Sequence, residues 1–352
     1  MMRLPSFRYI AAKTTHDVLE CLAGNPQEVR VVAGGTDLWP NMKRRHQSAK
    51  EVVGLRGVAG LHGIAGQPGE EVRLGAMTSL TDITSSALLR QHYPGLVRAV
   101  ASISSPALRN MGTIGGNLCL DTRCTYYNQS EEWRRSIDYC LKEKGGTCWV
   151  ATGSARCWAI TASDSAPLLC AIGAKVHLLS KREGTRELPL VDFYQDDGIQ
   201  YLSMQRDELL SKIVLPATKG STNDFRSTYW KLRRRGSIDY PVLGVGTALW
   251  LDGDIVADVR IFVGAVVSAP THATGACDFL RGKKLTEESI AEAAIKARQG
   301  TSPLDNTDFE IPWRKEMISR YVEGTLRELA GLAPRIHPPL HGMWALQSHA
   351  GG

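Results

Sequence analysis

Two glycine-bearing stretches stand out for what their backbones could do. The first reads Val32-Ala33-Gly34-Gly35-Thr36-Asp37-Leu38, and the second Arg109-Asn110-Met111-Gly112-Thr113-Ile114-Gly115-Gly116-Asn117-Leu118. A tight turn without side chains lets several N–H groups converge on an anion, and the doubly anionic pyrophosphate of a dinucleotide suits such a turn. Each stretch adds Thr and Asx side chains. Gly-Gly pairs also simply make turns, so neither stretch is specific alone. The usual nucleotide fingerprints are missing: Gly244-Val245-Gly246 is followed by Leu249 where a third glycine belongs, and no GxxxxGK[ST] occurs.

The second candidate chemistry is that of thiolates. Five of the eight cysteines, Cys119, Cys124, Cys140, Cys148 and Cys157, fall within 39 residues. Fifteen residues separate Cys124 from Cys140, seven separate Cys140 from Cys148, and eight separate Cys148 from Cys157. A segment this poor in apolar residues can gain ordering energy from metal–thiolate bonds. The absence of a CxxC pair favours a four-cysteine iron–sulfur cluster over zinc without excluding zinc, and scattered buried thiols remain a third reading. Cys21, Cys170 and Cys277 read as core residues.

These candidates need elements to position them. Thr15 is placed to cap a helix carrying Val18, Leu19 and Leu22 inward, and residues 30–33 read as a strand entering the first glycine turn. Strands are expected at 52–55 and 72–76, and a helix over 94–103 leading toward the second turn. Residues 119–160 show no sustained period and read as an inserted loop. Beyond them come a helix at 166–171, strands at 174–179 and 212–215, and a boundary at 217–223. Val245, Thr247, Leu249 and Leu251 alternate, and Asp252-Gly253 supplies a hairpin turn into a strand over 255–267. Helices follow at 273–280, 287–299 and 313–328, and the last residues have no periodic apolar face.

Bulk properties set the frame. With 352 residues, 43% of them hydrophobic and 22% charged, the chain should fold into two or three domains of ordinary composition. A net charge of +6 indicates neither nucleic-acid nor membrane binding. No stretch approaches the roughly 18 apolar residues of a membrane span, and the N-terminus lacks a signal peptide's apolar core, so the expected location is cytoplasmic. Lys43-Arg44-Arg45 and Arg233-Arg234-Arg235 read as solvated or subunit-facing surface, with direct phosphate binding the lesser alternative.

The two turns, in their order and separation, resemble the FAD-binding subunits of the molybdenum hydroxylase family, which includes xanthine dehydrogenase and carbon monoxide dehydrogenase. Residues 7–328 share the resemblance. Ser163-Asp164, in a Ser-Asp-x-x-Pro stretch ending at Pro167, matches too, as do Lys231, Arg235 and Asp239 in the family's order. The resemblance implies an α+β fold: a two-lobed FAD-binding domain over 1–216, lobes about 1–56 and 57–216, containing the loop 119–160; a smaller α+β domain over 224–330; and an extended tail, 331–352. It implies that Val32, Ala33, Gly34, Gly35, Thr36, Asp37 and Leu38, with Gly112, Thr113, Ile114, Gly115, Gly116 and Asn117, hold FAD. Asp164 would contact its sugar-like chain unless it only caps the next helix. Lys231 would lie near the flavin, and Ile103 against one of its rings.

The forty-residue loop is similar to one in the flavin subunit of 4-hydroxybenzoyl-CoA reductase. That likeness implies a [4Fe–4S] cluster on Cys124, Cys140, Cys148 and Cys157, with Cys119 in reserve as a ligand. In that enzyme electrons run from ferredoxin through the [4Fe–4S] cluster and FAD to [2Fe–2S] clusters on a small subunit and molybdenum on a large one. The expected assembly is a dimer of heterotrimers. Residues 119–160 hold six Lys or Arg against five Asp or Glu, so no steering patch for ferredoxin stands out. A flavin subunit that passes electrons outward to NAD or a quinone, with the loop as a structural metal site, is the alternative.

Overall fold

The computed structural model describes residues 3–218 and 224–336. Three sheets organise it. Strands β1 (Arg8–Ala11), β2 (Val29–Val32) and β3 (Glu51–Gly54) form a parallel sheet in the order β1-β3-β2. Parallel pairing requires crossovers, and the helix Thr15–Gly24 supplies the first. Its cap is Thr14 rather than Thr15: Thr14 Oγ1 accepts from the Asp17 amide at 3.1 Å, and Asp17 Oδ2 accepts from the Thr14 amide at 2.9 Å. This reciprocal box fixes the helix start one residue early. Val18 and Leu22, four apart, are buried, whereas Leu19 is only half-buried.

Strands β4 (Ile64–Ala65), β5 (Val72–Gly75), β6 (Lys175–Ser180), β7 (Gly184–Pro189) and β8 (Glu208–Leu215) form a five-stranded antiparallel sheet ordered β4-β5-β8-β6-β7. Short helices, including Pro94–Ala101 and Ser165–Ile172, cover it and share one apolar core with it. Pro94 starts the first of these without sacrificing a helical hydrogen bond, and Gly173, left-handed at φ 79°, ends the second.

The third sheet is antiparallel, ordered β12-β11-β10-β9, from β9 (Asp224–Leu232), β10 (Leu243–Asp252), β11 (Ile255–Gly264) and β12 (Thr271–His272). Asp252 pairs with Ile255, so the hairpin turn is Gly253-Asp254, one residue later than expected, with Gly253 at φ 61°. β11 stops at Gly264 because Ala265 is left-handed, φ 62°. Helices Thr274–Leu280, Glu287–Gln299 and Ile311–Leu329 close its core. Within the loop the sequence left aperiodic, Glu131–Ser136 forms a short helix capped by Ser130. Most of the expected boundary and of the expected tail, residues 219–223 and 337–352, lies outside the described residues. No helix among the described residues is long and apolar enough to cross a membrane.

Candidate flavin and thiol sites

The first glycine turn leaves β2 after buried Val32 and is shaped by close approach. A Cβ at Gly34 would stand 1.8 Å from the Met111 carbonyl oxygen and 3.1 Å from the Gly112 nitrogen, so the two turns touch backbone to backbone. Gly35 is left-handed at φ 73°, and a Cβ there would meet Trp39 Nε1 at 2.2 Å. Among the described residues, the amides of Gly34, Gly35, Thr36 and Asp37 donate to no protein acceptor. Four consecutive free donors are what an anion-binding nest presents.

The second turn differs. Gly112 N–H donates to the Leu108 carbonyl at 2.7 Å, Ile114 to Thr78 at 3.0 Å, Gly115 to Ala76 at 2.8 Å and Asn117 to Thr113 at 2.9 Å. The Gly116 amide donates to Thr113 Oγ1 at 3.1 Å, which caps the helix Ile114–Leu118. Its glycines serve packing: a Cβ at Gly115 would meet that of Ala76 at 2.7 Å. Asn117 Oδ1 accepts from Ser163 Oγ at 2.9 Å and Ser165 Oγ at 2.6 Å, tying this turn to the Ser163-Asp164 stretch.

Asp164 sits at the N-cap position of the helix Ser165–Ile172 but does not cap it. Ser163 Oγ takes that part, accepting from the Ala166 amide at 3.2 Å. The Asp164 carboxylate instead accepts from Tyr229 Oη at 2.9 Å and Lys231 Nζ at 2.9 Å. Burial pushes its pKa up, and Lys231 opposes the shift. Lys231 also donates to the Ser102 carbonyl at 3.3 Å and the Asp239 carbonyl at 3.2 Å. Arg233 joins them, its Nη2 2.6 Å from Asp239 Oδ1, with only 4% of its side chain exposed. Of the three arginines 233–235, read as solvated or subunit-facing surface, Arg233 departs from solvation: just past the end of β9 it lies on the Lys231 side, where Asp239 compensates its charge. Ile103, next to Ser102, is half-buried at the edge of the main core.

The cysteine loop is closed at its root by a two-way backbone bridge, Arg123 N to Ile160 O at 2.8 Å and Ile160 N to Arg123 O at 2.7 Å. Cys124, Cys140, Cys148 and Cys157 are buried and line one cavity with Tyr126, Tyr127, Lys142 and Trp149. The four thiols therefore share one cavity rather than lying in separate cores. Cys119 does not join them; it packs against the main core. Burial pushes the Cys124 thiol up to about 12 and the Cys157 thiol to about 11, so metal binding here would release protons. Among the described residues no group of three His, Cys, Asp or Glu is disposed to hold a single metal ion. A cubane gives each thiolate its own iron and holds its ligands further apart than one ion does, so four converging thiols suit it in donor chemistry.

Arg123 connects the two sites. Its guanidinium, buried at 3% exposure, pairs with Asp37 of the first turn and bonds Asn41 Oδ1 at 3.1 Å, while Tyr240 Oη donates to the same carboxylate at 3.0 Å. Burial pushes the Asp37 pKa up, and Arg123 pulls it back. Arg123, Tyr229, Arg233, Lys142 and Tyr240 were all missed as site residues. The only local signal for Arg123 was its place beside Cys124.

Comparison with known proteins shows the family. Residues 5–218 match the family described as the FAD binding domain in molybdopterin dehydrogenase, and residues 227–329 match the CO dehydrogenase flavoprotein C-terminal domain. The chain belongs to the FAD-binding medium subunits of the molybdenum hydroxylase family, and is thus an FAD-binding oxidoreductase subunit. It is 25% identical over 326 residues to the glyceraldehyde dehydrogenase medium chain of Sulfolobus acidocaldarius, covering 93% of this chain and 99% of that one. It is 28% identical over 284 residues to the aldehyde oxidoreductase FAD-binding subunit of Escherichia coli, covering 78% and 86%. Carbon monoxide dehydrogenase from Hydrogenophaga pseudoflava shares the fold with a TM-score of 0.76 at 24% identity, over 92% of this chain and 97% of that one. Quinoline 2-oxidoreductase from Pseudomonas putida does so at 0.74 and 23%, over 94% and 98%.

Proposed function

We propose that this chain is the FAD- and [4Fe–4S]-carrying subunit of a cytoplasmic, molybdenum-dependent reductase similar to 4-hydroxybenzoyl-CoA reductase. It would receive single electrons from a ferredoxin and serve a [2Fe–2S] small subunit and a molybdenum-bearing large subunit, in a dimer of heterotrimers that removes an aromatic hydroxyl from an acyl-CoA. The observation that carries this reading is the convergence of Cys124, Cys140, Cys148 and Cys157 on one buried cavity beside the flavin motifs. FAD, when bound, exchanges two electrons with a hydride donor or one at a time with metal centres.

The protein's own part is positioning. The free amides of residues 34–37 would hold the pyrophosphate, with Val32, Ala33 and Leu38 framing them. The second turn, Gly112 to Asn117, would brace that cradle rather than supply most of the donors, because all of its amides but that of Thr113 are already spent. Asp164 and Lys231 would meet the sugar-like chain and the flavin, with Ile103 against a ring. Residues 1–216 would form the flavin domain and 224–330 the smaller one.

The proposal is tested by isolating the native complex anaerobically and offering reduced ferredoxin or NADH with aromatic acyl-CoA thioesters. Turnover with ferredoxin alone is expected. Flavin reduction by NADH, with ferredoxin inert, would instead establish an oxidising hydroxylase with the loop as a structural metal site. That second reading is favoured by the relatives, among them a glyceraldehyde dehydrogenase and a carbon monoxide dehydrogenase.

A further inference from the structure

We propose that Lys142 is a positioning residue for the four-thiol site, clasping three of its branches together and placing a positive charge beside the sulfurs. The proposal rests on the cluster reading above. Lys142 follows Cys140 closely in the chain, and only 6% of its side chain is exposed. Its Nζ donates to Asp121 Oδ1 at 2.8 Å, to Thr122 Oγ1 at 2.7 Å and to the Gly198 carbonyl at 2.6 Å. Those three acceptors exhaust the ammonium's donors, as a buried lysine requires.

The three acceptors come from two segments on opposite flanks of the Cys140 branch, residues 121–122 and Gly198. Asp121 and Thr122 lead into Cys124. Gly198 lies behind Cys157: its amide donates to the Cys157 carbonyl at 2.9 Å, and a Cβ there would stand 2.6 Å from Cys157 Sγ. One ammonium thus fixes the Cys140 branch against those of Cys124 and Cys157. The Tyr127 and Tyr201 rings lie 5.0 and 5.4 Å from it, adding cation–π contacts on its remaining sides.

The backbone before Cys140 shows why a clasp is needed. Asp138 and Tyr139 are consecutive non-glycine residues in left-handed conformations, φ 57° and 59°, a backbone that side chains disfavour. Local preference would relax this turn and swing Cys140 away, so tertiary contacts must hold it. Arg134, which bonds Glu143, grips the outer side of the same segment, and Lys142 grips the inner side. A cluster bound by four thiolates is anionic and gains further negative charge on reduction, so the ammonium favours the reduced state.

The test compares wild type, Lys142→Met and Lys142→Arg, each isolated anaerobically as the full chain with its partners, for iron and acid-labile sulfide per flavin. The midpoint potential of the iron–sulfur EPR signal is read in parallel. Lys142→Met should keep its flavin but fall at least about twofold in iron per flavin, as expected for an outer partner worth about 10-fold or more in metal affinity. The cluster it retains should titrate at a lower potential, and Lys142→Arg should recover most of the iron. Should Lys142→Met fail to fold, Thr122→Val, which removes one acceptor of the ammonium together with the Thr122 hydroxyl's own bond to the Gly198 carbonyl and leaves the charge paired with Asp121, must still lower iron per flavin. Wild-type iron and potential in Lys142→Met, or in its absence wild-type iron in Thr122→Val, would overturn the proposal. Wild-type protein with flavin and no iron overturns the cluster reading itself, before any variant is compared.

Discussion

The first glycine turn and the cysteine loop lie on either side of Arg123 and are built by opposite means. The turn presents backbone: four free amides, held in place because β2 is paired in a sheet and Gly34 abuts the Met111 carbonyl. The loop presents side chains on a backbone with little regular structure, and its own apolar cluster is small, centred on Cys124, Tyr127, Cys140, Cys157 and Ala159. Buried cations replace the missing core. Arg134, 1% exposed, donates to Glu143 Oε2 at 2.6 Å, to the Gln129 carbonyl at 2.6 Å and to the Arg44 carbonyl at 3.0 Å, and Lys142 does the corresponding work inside. The sheet holds the backbone site with one ion pair, Arg123–Asp37, at its edge, whereas the loop that must hold four thiols relies on several buried ions or on metal.

If the two regions are separately built, damage to one should spare the other. Gly34→Val should have the largest effect, since its side chain would collide with rigid backbone at residue 111. We expect flavin content to fall about 10-fold or more and stability to drop by about 3 kcal/mol in denaturant titrations, with iron retained. Full flavin occupancy in this variant would mean that the two turns do not meet as described. Cys140→Ser should do the converse, losing most of its iron in metal analysis while keeping a wild-type flavin absorbance.

Arg123→Met strikes the junction and should weaken both sites. It strands the half-buried Asp37 carboxylate, and a loss of about 2 kcal/mol, reduced from the fully buried case because Asp37 keeps Tyr240, Asn41 and some solvent, should appear in thermal unfolding alongside lower flavin and iron. Loss confined to one cofactor would show that Arg123 does not couple them. The smallest effect belongs to His46, whose ring lies tilted against Tyr127 with centroids 4.5 Å apart and whose nitrogens find no side-chain or backbone partner among the described residues. Burial, then Arg134 and Arg123, lower its pKa from 6.5 to about 4. The neutral ring's contribution is therefore complete above pH 6.5 and is lost as pH falls toward 4. His46→Phe should flatten the slope of stability against pH in that window, and an unchanged slope would assign it to the carboxylates.

Sequence patterns exposed these two regions unequally. β2, the glycine turns and the helix Glu287–Gln299 could be read locally, because period, capping and glycine content are properties of neighbouring residues. The four thiols were also countable. What the two Gly-Gly stretches conceal is their difference: whether an amide is free depends on carbonyls at Ala76 and Thr78, which only the fold brings to the second turn. Asp164 looked equally like a cap because Ser163, its neighbour, can do the same work and does. Arg233 and Lys142 carried no signal at all, since a basic residue becomes a clasp only when remote acceptors such as Asp239 and Gly198 arrive.

The central claim is that one chain holds a flavin on backbone amides and an iron–sulfur cluster on four loop cysteines. Its most direct test is the flavin, iron and acid-labile sulfide content of the wild-type protein isolated without oxygen. The account predicts one flavin with roughly four iron and four sulfide per chain; a fully flavinated chain free of iron and sulfide would contradict it.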